Sequence, residues 1–381
     1  MNISIKAGIL PVALLNTVAM TAANDSIVWK RQVYSTGHVR FRQEVLASPA
    51  MRNYLHTPSI SEFSVYATTE PAAAARIPQL GRGGKQFGME ASSFQQLGAN
   101  SVVWGKASYQ NGKKYDVMWN ETSDFLLLYP YVMGDAKGGD QNYESYRLDG
   151  GYSTRHGKTC YGVDLGYRTL SEYRDRDPRP NNTVADLYAQ GGIGLNIWGS
   201  YSVALTATAG KYKQTNELAF YNELGTQMVY HLTGIGNDFT RFSGQGKNCF
   251  YKGYSIGAEI SMASKETTGW SASAGYLFTR KEKVLTDLNR LPLNRLEVNS
   301  LDGAVGYNNE DYGVRLTGNV AQRKGIDNLF GDATGNIYPQ IGSRKQYDGK
   351  IEKIKAEGFW NVNWTEKTDV NIEPEIACAS F

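Results

Sequence analysis

Apolar residues alternate with small, polar or charged residues along much of the chain, most regularly between residues 142 and 213. Four successive stretches carry the pattern there, at 142–155, 158–172, 183–197 and 199–213. Because strand side chains point alternately to the two faces of a sheet, the pattern predicts strands with one apolar and one polar face. Soluble strands average about 5–6 residues. Strands this long are typical of β-barrels that cross a membrane.

The same alternation predicts further strands on both sides, to a total of about 14 or more, an even number being usual in such barrels. Short turns alternate with long loops along the chain. The long loops are predicted at 122–140, 174–182, 215–246, 284–293 and 324–349. Outer-membrane barrels have short periplasmic turns and long external loops. We therefore predict an all-β protein, an antiparallel transmembrane β-barrel of the outer-membrane type, formed by residues 59–381.

Three local features depart from the simple pattern. Asn111-Gly112 is the strongest hairpin signal and predicts a turn between two strands. The apolar phase slips near Ser300, which predicts a β-bulge. Near the end, Pro374 interrupts the last strand and Phe381 falls on its polar face. Either a bulge restores the phase there or the chain is truncated at its C-terminus.

Composition supports the barrel and narrows the function. Hydrophobic residues make up 41% of the chain and the mean hydropathy is −0.44, which is too polar for a helical membrane protein. A barrel tolerates this composition because half of each strand faces water. A net charge of +3 without a basic stripe gives no reason to expect nucleic acid as a partner. The three cysteines are far apart, so we expect neither a disulfide framework nor a metal site, and no cofactor.

The first residues are typical of a secretory signal. Lys6 precedes an apolar stretch that ends in small residues, which predicts a signal peptide at 1–23. Residues 24–58 are polar and mixed, and we predict that they form a periplasmic lead-in to the barrel. The predicted location is therefore the cell outer membrane, with outer-membrane lipid as the surrounding partner.

Charged residues on the polar strand faces are expected to point into the lumen, where they line an aqueous channel or join a closed interior. They are Asp164, Arg168, Asp186, Glu259, Arg315, Lys353, Lys355 and Glu357.

A second set lies in or beside the long loops and is a candidate for ligand or ion contacts. Its members are Tyr129, Tyr131, Asp135, Asp177, Arg179, Arg241 and Asp332. The alternatives are structural: the Arg–Asp pairs of 174–180 neutralise one another, which we favour, and the aromatic residues pack over the rim. Asp135 lacks the full spacing of a calcium loop.

Several motifs resemble those of a Bacteroidota family of outer-membrane β-barrels of unknown function. They include WNETSD at 119–124, YPY at 129–131, YRDRDPRPN at 173–181, LNRLPL at 288–293 and NLFGD at 328–332. The resemblance covers residues 60–349. It implies an accessory barrel of a nutrient-uptake system, with an energised receptor or a surface lipoprotein as partner, and it supplies no catalytic residue.

Three functions follow from these observations. The first is a porin-like or accessory uptake channel for an unidentified small solute. The second is a plugged barrel that binds a ligand or partner at the cell surface, which a lumen filled by 122–140 or 215–246 would favour. The third is a barrel hydrolase that uses His231 as base. No nucleophile motif accompanies that histidine, so we expect that the chain is not an enzyme.

Overall fold

The computed structural model describes residues 37–55, 57–70, 77–222, 228–234, 236–244, 248–335, 337–365, 368–372 and 375–380. Side chains are described as far as residue 360. The predicted signal peptide, Pro374 and Phe381 lie outside the described residues.

Long strands dominate the chain, and their bounds extend well into the predicted loops. In chain order they are β1 (Ile60–Glu70), β2 (Gly83–Gln96), β3 (Ser101–Val117), β4 (Met133–Asp135), β5 (Gly139–His156), β6 (Thr159–Tyr173), β7 (Arg179–Asn196), β8 (Tyr201–Ala219), β9 (Val229–Gly234), β10 (Asn237–Asp238), β11 (Cys249–Ser264), β12 (Gly269–Leu285), β13 (Leu291–Asn308), β14 (Tyr312–Phe330), β15 (Gln340–Thr365), β16 (Thr368–Ile372) and β17 (Glu375–Ser380). The helices are α1 (Gly37–Val45), α2 (Phe125–Leu128) and the 3₁₀ segments Pro49–Tyr54, Pro78–Leu80 and Thr240–Phe242.

One antiparallel sheet of fourteen strands forms the wall. Its order follows the sequence from β1 to β16, except that β4, β9 and β10 are left out and form a small sheet of their own. The last two strands, β16 and β17, both pair with β15. Among the described residues no pairing joins β1 to β16 or β17, so the wall has a seam between its first and last strands.

The register places the apolar positions on the outer surface, as the alternation predicts. Val163, Leu195, Leu205 and Tyr276 are all exposed on that surface, at 45–55% of their full area. An outward apolar face and an inward polar face define a membrane-spanning barrel rather than a β-sandwich with an apolar core. The all-β, antiparallel transmembrane barrel predicted from the sequence is confirmed.

The wall curls around segments that lie inside it. One short stretch near the N-terminus touches strands from both halves of the sheet: Arg52 lies over the Trp104 ring of β3 at 5.2 Å, and Phe41 lies 5.4 Å from Phe359 of β15. Strands far apart in the sheet therefore face one another across the lumen. We call the end with the short connections, such as 157–158 and 309–311, the turn end, and the opposite end the loop end.

Two local predictions are wrong. Strand β3 runs straight through Asn111-Gly112, and neither residue has the positive φ that a tight hairpin turn requires. Gly112 stays extended because it is paired on both sides, with Gln86 of β2 and Tyr143 of β5. The predicted bulge at Ser300 is also absent, since β13 pairs with β14 without a break from Asn294 to Asn308.

None of the helices in the described part of the chain combines the length and the apolar character needed to span a membrane.

Candidate functional site

The turn end of the lumen is occupied by residues 37–55, which we call the N-terminal plug. Its polar groups bind the surrounding wall. The Arg42 guanidinium donates to the Ser264 carbonyl at 3.1 Å from both terminal nitrogens. The Tyr54 hydroxyl donates to the Asn196 side chain at 2.6 Å. The sequence predicted residues 24–58 as a lead-in, and the described part of that range lies within the barrel.

Apolar packing and close backbone approach complete this contact. The plug and wall residues form one buried cluster, whose plug members are Phe41, Val45, Leu46, Ala50, Met51, Tyr54 and Leu55. Two wall glycines face it. A Cβ atom on Gly162 would lie 2.1 Å from the Pro49 carbonyl oxygen, and one on Gly192 would lie 3.1 Å from the Ala50 Cβ. Only a residue without a side chain fits at Gly162.

The loop end of the lumen is occupied by residues 118–138 together with 228–234 and 236–244, which we call the loop plug. Strands β10, β9 and β4 form its three-stranded sheet. The loop plug and the upper wall share a second buried cluster. Its members include Phe125, Leu128, Val132, Met133, Val184, Tyr212, Val229, Phe242, Tyr251, Leu285 and Leu293.

Asp124 is bound by two wall strands. Its carboxylate receives a two-pronged contact from the Arg168 guanidinium of β6, at 3.0 and 2.5 Å. The Tyr212 hydroxyl of β8 donates to the same carboxylate at 2.9 Å. On β12, the Lys283 ammonium donates to the Val132 carbonyl at 2.9 Å. Charged groups of the wall therefore fix the loop plug in one position.

A buried ionic triad joins the loop plug to the connection between β6 and β7. The Arg174 guanidinium contacts Glu121 Oε1 at 3.0 Å and Asp135 Oδ2 at 2.7 Å, and all three side chains are at most 1% exposed. The same guanidinium donates to the Pro178 carbonyl at 2.9 and 2.6 Å. Burying charged groups is costly, and these contacts compensate only in part, since Arg174 Nη1 and Glu121 Oε2 have no hydrogen-bond partner among the described residues.

The triad contains two carboxylates and one guanidinium. One bound proton therefore brings its net charge to zero. Both carboxylates lie in the loop plug, outside the membrane-spanning strands. Burial raises the pKa of Glu121 well above its usual value, and the nearby Asp135 charge raises it further. Burial would also raise the pKa of Asp135, but Arg174, Glu121 and the Gly138 amide together hold that pKa below its usual value. The proton therefore resides on Glu121.

This assignment predicts opposite results for two amide substitutions. Glu121→Gln mimics the protonated acid and is expected to change the stability of the loop plug by less than about 1 kcal/mol, whereas Asp135→Asn leaves Arg174 without its counter-charge and is expected to cost about 3–5 kcal/mol. Hydrogen exchange of residues 119–135, followed by mass spectrometry, measures both. Equal losses in the two variants would contradict the assignment.

The pH dependence has a definite sign for each group. The folded protein retains the Glu121 proton above pH 4.5, where the unfolded chain releases it, so this group lowers the free energy of unfolding as pH rises towards its raised pKa. Asp135 contributes stability above pH 3.8 that is lost as pH falls through its lowered pKa. Glu121→Gln is therefore expected to remove the decrease in stability at high pH. The decrease in stability at low pH, which comes from Asp135, is expected to remain.

The structure places all eight lumen candidates on the inward face of the wall. Arg168 contacts Asp186 at 3.5 Å as well as Asp124 of the loop plug. Asp164 accepts from the Trp104 ring nitrogen at 3.0 Å and from the Tyr188 hydroxyl at 3.2 Å. Glu259 and Lys353 lie on the same face by register, opposite Thr206 and Asn319 respectively.

Three of the candidates hold the N-terminal plug. Arg315 lies 2.9 Å from Glu44 of that plug and 3.5 Å from Glu357, and Lys355 pairs with Glu357 as well. The eight candidates therefore do not form one site. They divide among the N-terminal plug, the loop plug and the polar lumen between them.

The loop candidates pair with one another or lie inside the loop plug. Asp177 pairs with Arg179 at 2.8 Å and accepts from the amide of Tyr221 at 2.8 Å, while the Arg179 guanidinium lies 4.1 Å above the Tyr221 ring. Arg241 contacts Asp332 at 3.7 Å and the Gly331 carbonyl at 3.0 Å.

Tyr129, Tyr131 and Asp135 belong to the loop plug. Tyr129 packs edge-on against Tyr347 of β15, with ring centres 5.9 Å apart, and Tyr131 and Asp135 are buried. These contacts fit the structural alternative for the loop residues better than an open ligand site. Sequence reasoning missed Glu121, Asp124 and Arg174 as anchors, because only the folded chain brings Glu121 to Arg174.

The neighbours of His231 that a hydrolase could use, Ser243 and Asp238, contact each other. The Ser243 hydroxyl donates to the Asp238 carboxylate at 2.6 Å. The contact between Ser243 and His231 involves the main-chain amide of the histidine, at 3.4 Å. General-base catalysis requires the imidazole to reach the nucleophile, and this hydroxyl is directed elsewhere.

These features define the class: a transmembrane β-barrel whose lumen holds one plug at each end. The model of a family of unknown function, DUF6850, matches residues 49–378, and the chain belongs to that family. None of the curated proteins matches it.

Solved structures with a similar fold include receptors and transporters. The ferric preacinetobactin receptor BauA from Acinetobacter baumannii is 9% identical with a TM-score of 0.42, over 84% of this chain and 59% of that one. The ferric-catecholate import receptor Fiu from E. coli K12 is 7% identical with a TM-score of 0.40, over 85% and 61%. The toluene transporter TodX from Pseudomonas putida is 10% identical with a TM-score of 0.33, over 88% and 92%. The chain thus spans about three fifths of the length of the two receptors.

Proposed function

We propose that this protein is an outer-membrane barrel that takes up a small polar solute, and that the N-terminal plug gates its lumen. The observation that carries the proposal is the polar lumen between two plugs, lined by charged side chains such as Asp164 and Arg168. Charges of both signs inside a barrel suit the passage of polar solutes.

The two plugs differ in how they are held. The loop plug contains the buried Arg174 triad and is joined to the wall on both sides of residues 118–138, through β3 and β5. The N-terminal plug continues into the wall through residues 57–59, which lead to β1. The ion pair between Glu44 of this plug and Arg315 of the wall is partly exposed. Of the two, the N-terminal plug is the one that can move as a unit.

Its position also fits a periplasmic trigger. In outer-membrane barrels the short turns face the periplasm. The N-terminal plug would then be accessible to an energised periplasmic partner, and the loop end to a surface lipoprotein. The motifs shared with Bacteroidota barrels support a source in that phylum. The periplasmic partner, the surface lipoprotein and the bacterial source are all part of the proposal.

A disulfide lock tests the gate. The hydroxyl oxygens of Ser48 in the plug and Thr206 in the wall are 2.8 Å apart, so a Ser48→Cys/Thr206→Cys double variant is within reach of a disulfide. In planar lipid bilayers containing mild urea, the wild type is expected to open as its plug loosens. The oxidised double variant is expected to remain closed and to open when a reductant is added.

The wall supplies a matched control. Ser61 of β1 and Ser93 of β2 also have hydroxyl oxygens 2.8 Å apart, and neither belongs to the N-terminal plug. The oxidised Ser61→Cys/Ser93→Cys variant is expected to open as the wild type does. Opening of the oxidised Ser48/Thr206 lock at wild-type frequency would refute gating by this plug.

A second function, binding of a ligand or partner at the cell surface, is favoured by one observation. Residues 122–135 fill the loop end of the lumen, as a plugged surface-binding barrel requires. If the channel stays closed even after the N-terminal plug is released, this second function is the better account.

A further inference from the structure

Lys281 is a buried cation that no carboxylate contacts directly, although Asp186 and Asp124 attract it from a greater distance. It lies on the inward face of β12, and only 7% of the residue is exposed. Within the described residues, no carboxylate lies within salt-bridge distance of its ammonium, and its nearest aromatic contact is the Tyr212 ring at 5.5 Å. A buried charge is normally paired or bound to a ligand, because removing it from water is costly.

Two other lysines on the inward face of the wall provide a comparison. Lys283 lies two residues further along the same face of β12, and its ammonium donates to the Val132 carbonyl at 2.9 Å. Lys106, on the inward face of β3, pairs with Glu90 at 2.8 Å. Both lysines use a partner that the fold provides. Lys281 instead borders a cavity.

That cavity measures about 160 Å³ and lies directly below the loop plug. Its lining includes Leu127, Asp186, Tyr212, Ser255, Thr279 and Lys281. A cavity of about 150 Å³ can hold a molecule the size of benzene, so there is room for roughly six non-hydrogen atoms. The lining combines two lysines, Lys211 and Lys281, the Asp186 carboxylate, hydroxyl groups and the apolar side chain of Leu127.

These features select the chemistry of the ligand. A hydrogen-bonded anion would satisfy Lys281, and the hydroxyls of Ser255 and Thr279 can donate to the same anion. The Asp186 carboxylate at the border disfavours a doubly charged anion such as phosphate. Leu127 favours an apolar body over a fully hydrated one.

We propose that Lys281 binds the carboxylate of a small organic acid, whose short apolar chain lies against Leu127. The proposal rests on the uptake function above and names its solute class. The acid would occupy the polar lumen between the plugs, next to the Asp124–Arg168 pair that holds the loop plug. Binding there would place the solute where the loop plug and the wall can both respond to it.

Butyrate is the probe, and isothermal titration of the full chain in detergent is the measurement. We expect Lys281→Gln to weaken butyrate binding at least about tenfold, the effect of losing a hydrogen bond to a charged group. Lys281→Arg is expected to keep binding within a few-fold of the wild type, which also checks that the site folds. Lys106→Gln, whose wild-type lysine is already paired, is the matched control and is expected to bind butyrate normally.

Two further comparisons make the test specific. The neutral analogue butyramide is expected to bind at least about tenfold more weakly than butyrate, since it offers Lys281 no charge. Leu127→Asn is expected to weaken the binding of butyrate more than the binding of acetate. Acetate has almost no apolar chain that could contact Leu127.

Several results would overturn the proposal: no butyrate binding to the wild type, equal binding by Lys281→Gln, equal binding of butyramide, or tighter binding of inorganic phosphate. The disulfide lock measures gating without any ligand, so failure of this site and failure of the uptake function can be told apart.

Discussion

Replacing Arg174 with alanine is expected to release the loop plug from the wall. The substitution leaves Asp135 as a buried carboxylate without its guanidinium and removes the donor to the Pro178 carbonyl. Breaking a buried ion pair by removing one partner costs about 3–5 kcal/mol, because the remaining charge stays in a water-poor site. Amides of residues 119–135 should then exchange about a hundredfold faster or more, since each 1.4 kcal/mol is a factor of ten.

The matched control for this prediction is Arg176→Ala. Arg176 lies two residues away in the same connection but is exposed, and surface charges of this kind contribute about 0–1 kcal/mol. Exchange of the N-terminal plug, residues 37–55, should change little in either variant, because its contacts are at the other end of the lumen. Equal exchange of 119–135 in Arg174→Ala and Arg176→Ala would mean that the triad does not hold the loop plug.

Lipid makes the outer face of the wall predictable. Every strand residue that faces hydrocarbon obeys the same requirement, so the faces of β6, β7 and β8 could be predicted from alternation alone. The inner face obeys no such rule, because what it meets depends on which segment fills the lumen. Leu296 illustrates the difference: it is buried on the inward face, where Tyr131 of the loop plug covers its partner Gly325. That inward leucine produced the apparent phase slip near Ser300.

The two plugs could not be derived from the sequence for a related reason. Plug residues have no periodic pattern, and their partners lie far away in the chain. Arg174 resembled the other arginines of a charged loop tip, yet it lies buried between Glu121 and Asp135, while Arg179 does pair within the loop as expected. Sequence spacing reports on neighbours along one strand, whereas the triad depends on a contact between the loop plug and a connection that is distant in the chain.

Replacing Gly162 with valine is expected to expel the N-terminal plug and open the barrel. The Cβ atom alone would lie 2.1 Å from the Pro49 carbonyl oxygen and 2.6 Å from the Ala50 amide nitrogen, and these are backbone atoms that cannot rotate away. The wall strand around Gly162 is paired on both sides, so the plug is the part that must shift. In planar bilayers without urea, the variant should show stable open-channel conductance where the wild type shows little, and residues 37–55 should exchange rapidly.

Gly191→Val is the control because this glycine lies on the outer face of β7, opposite Val163, and a Cβ atom there meets nothing within 4 Å. The control adds the same side chain at nearly the same level of the barrel, but towards lipid, where valine is well tolerated. It should remain closed, with wild-type protection of residues 37–55. If the Gly162→Val barrel stays closed and its plug is undisturbed, the wall has shifted to accommodate the valine. Gating by the N-terminal plug would then lose its structural basis.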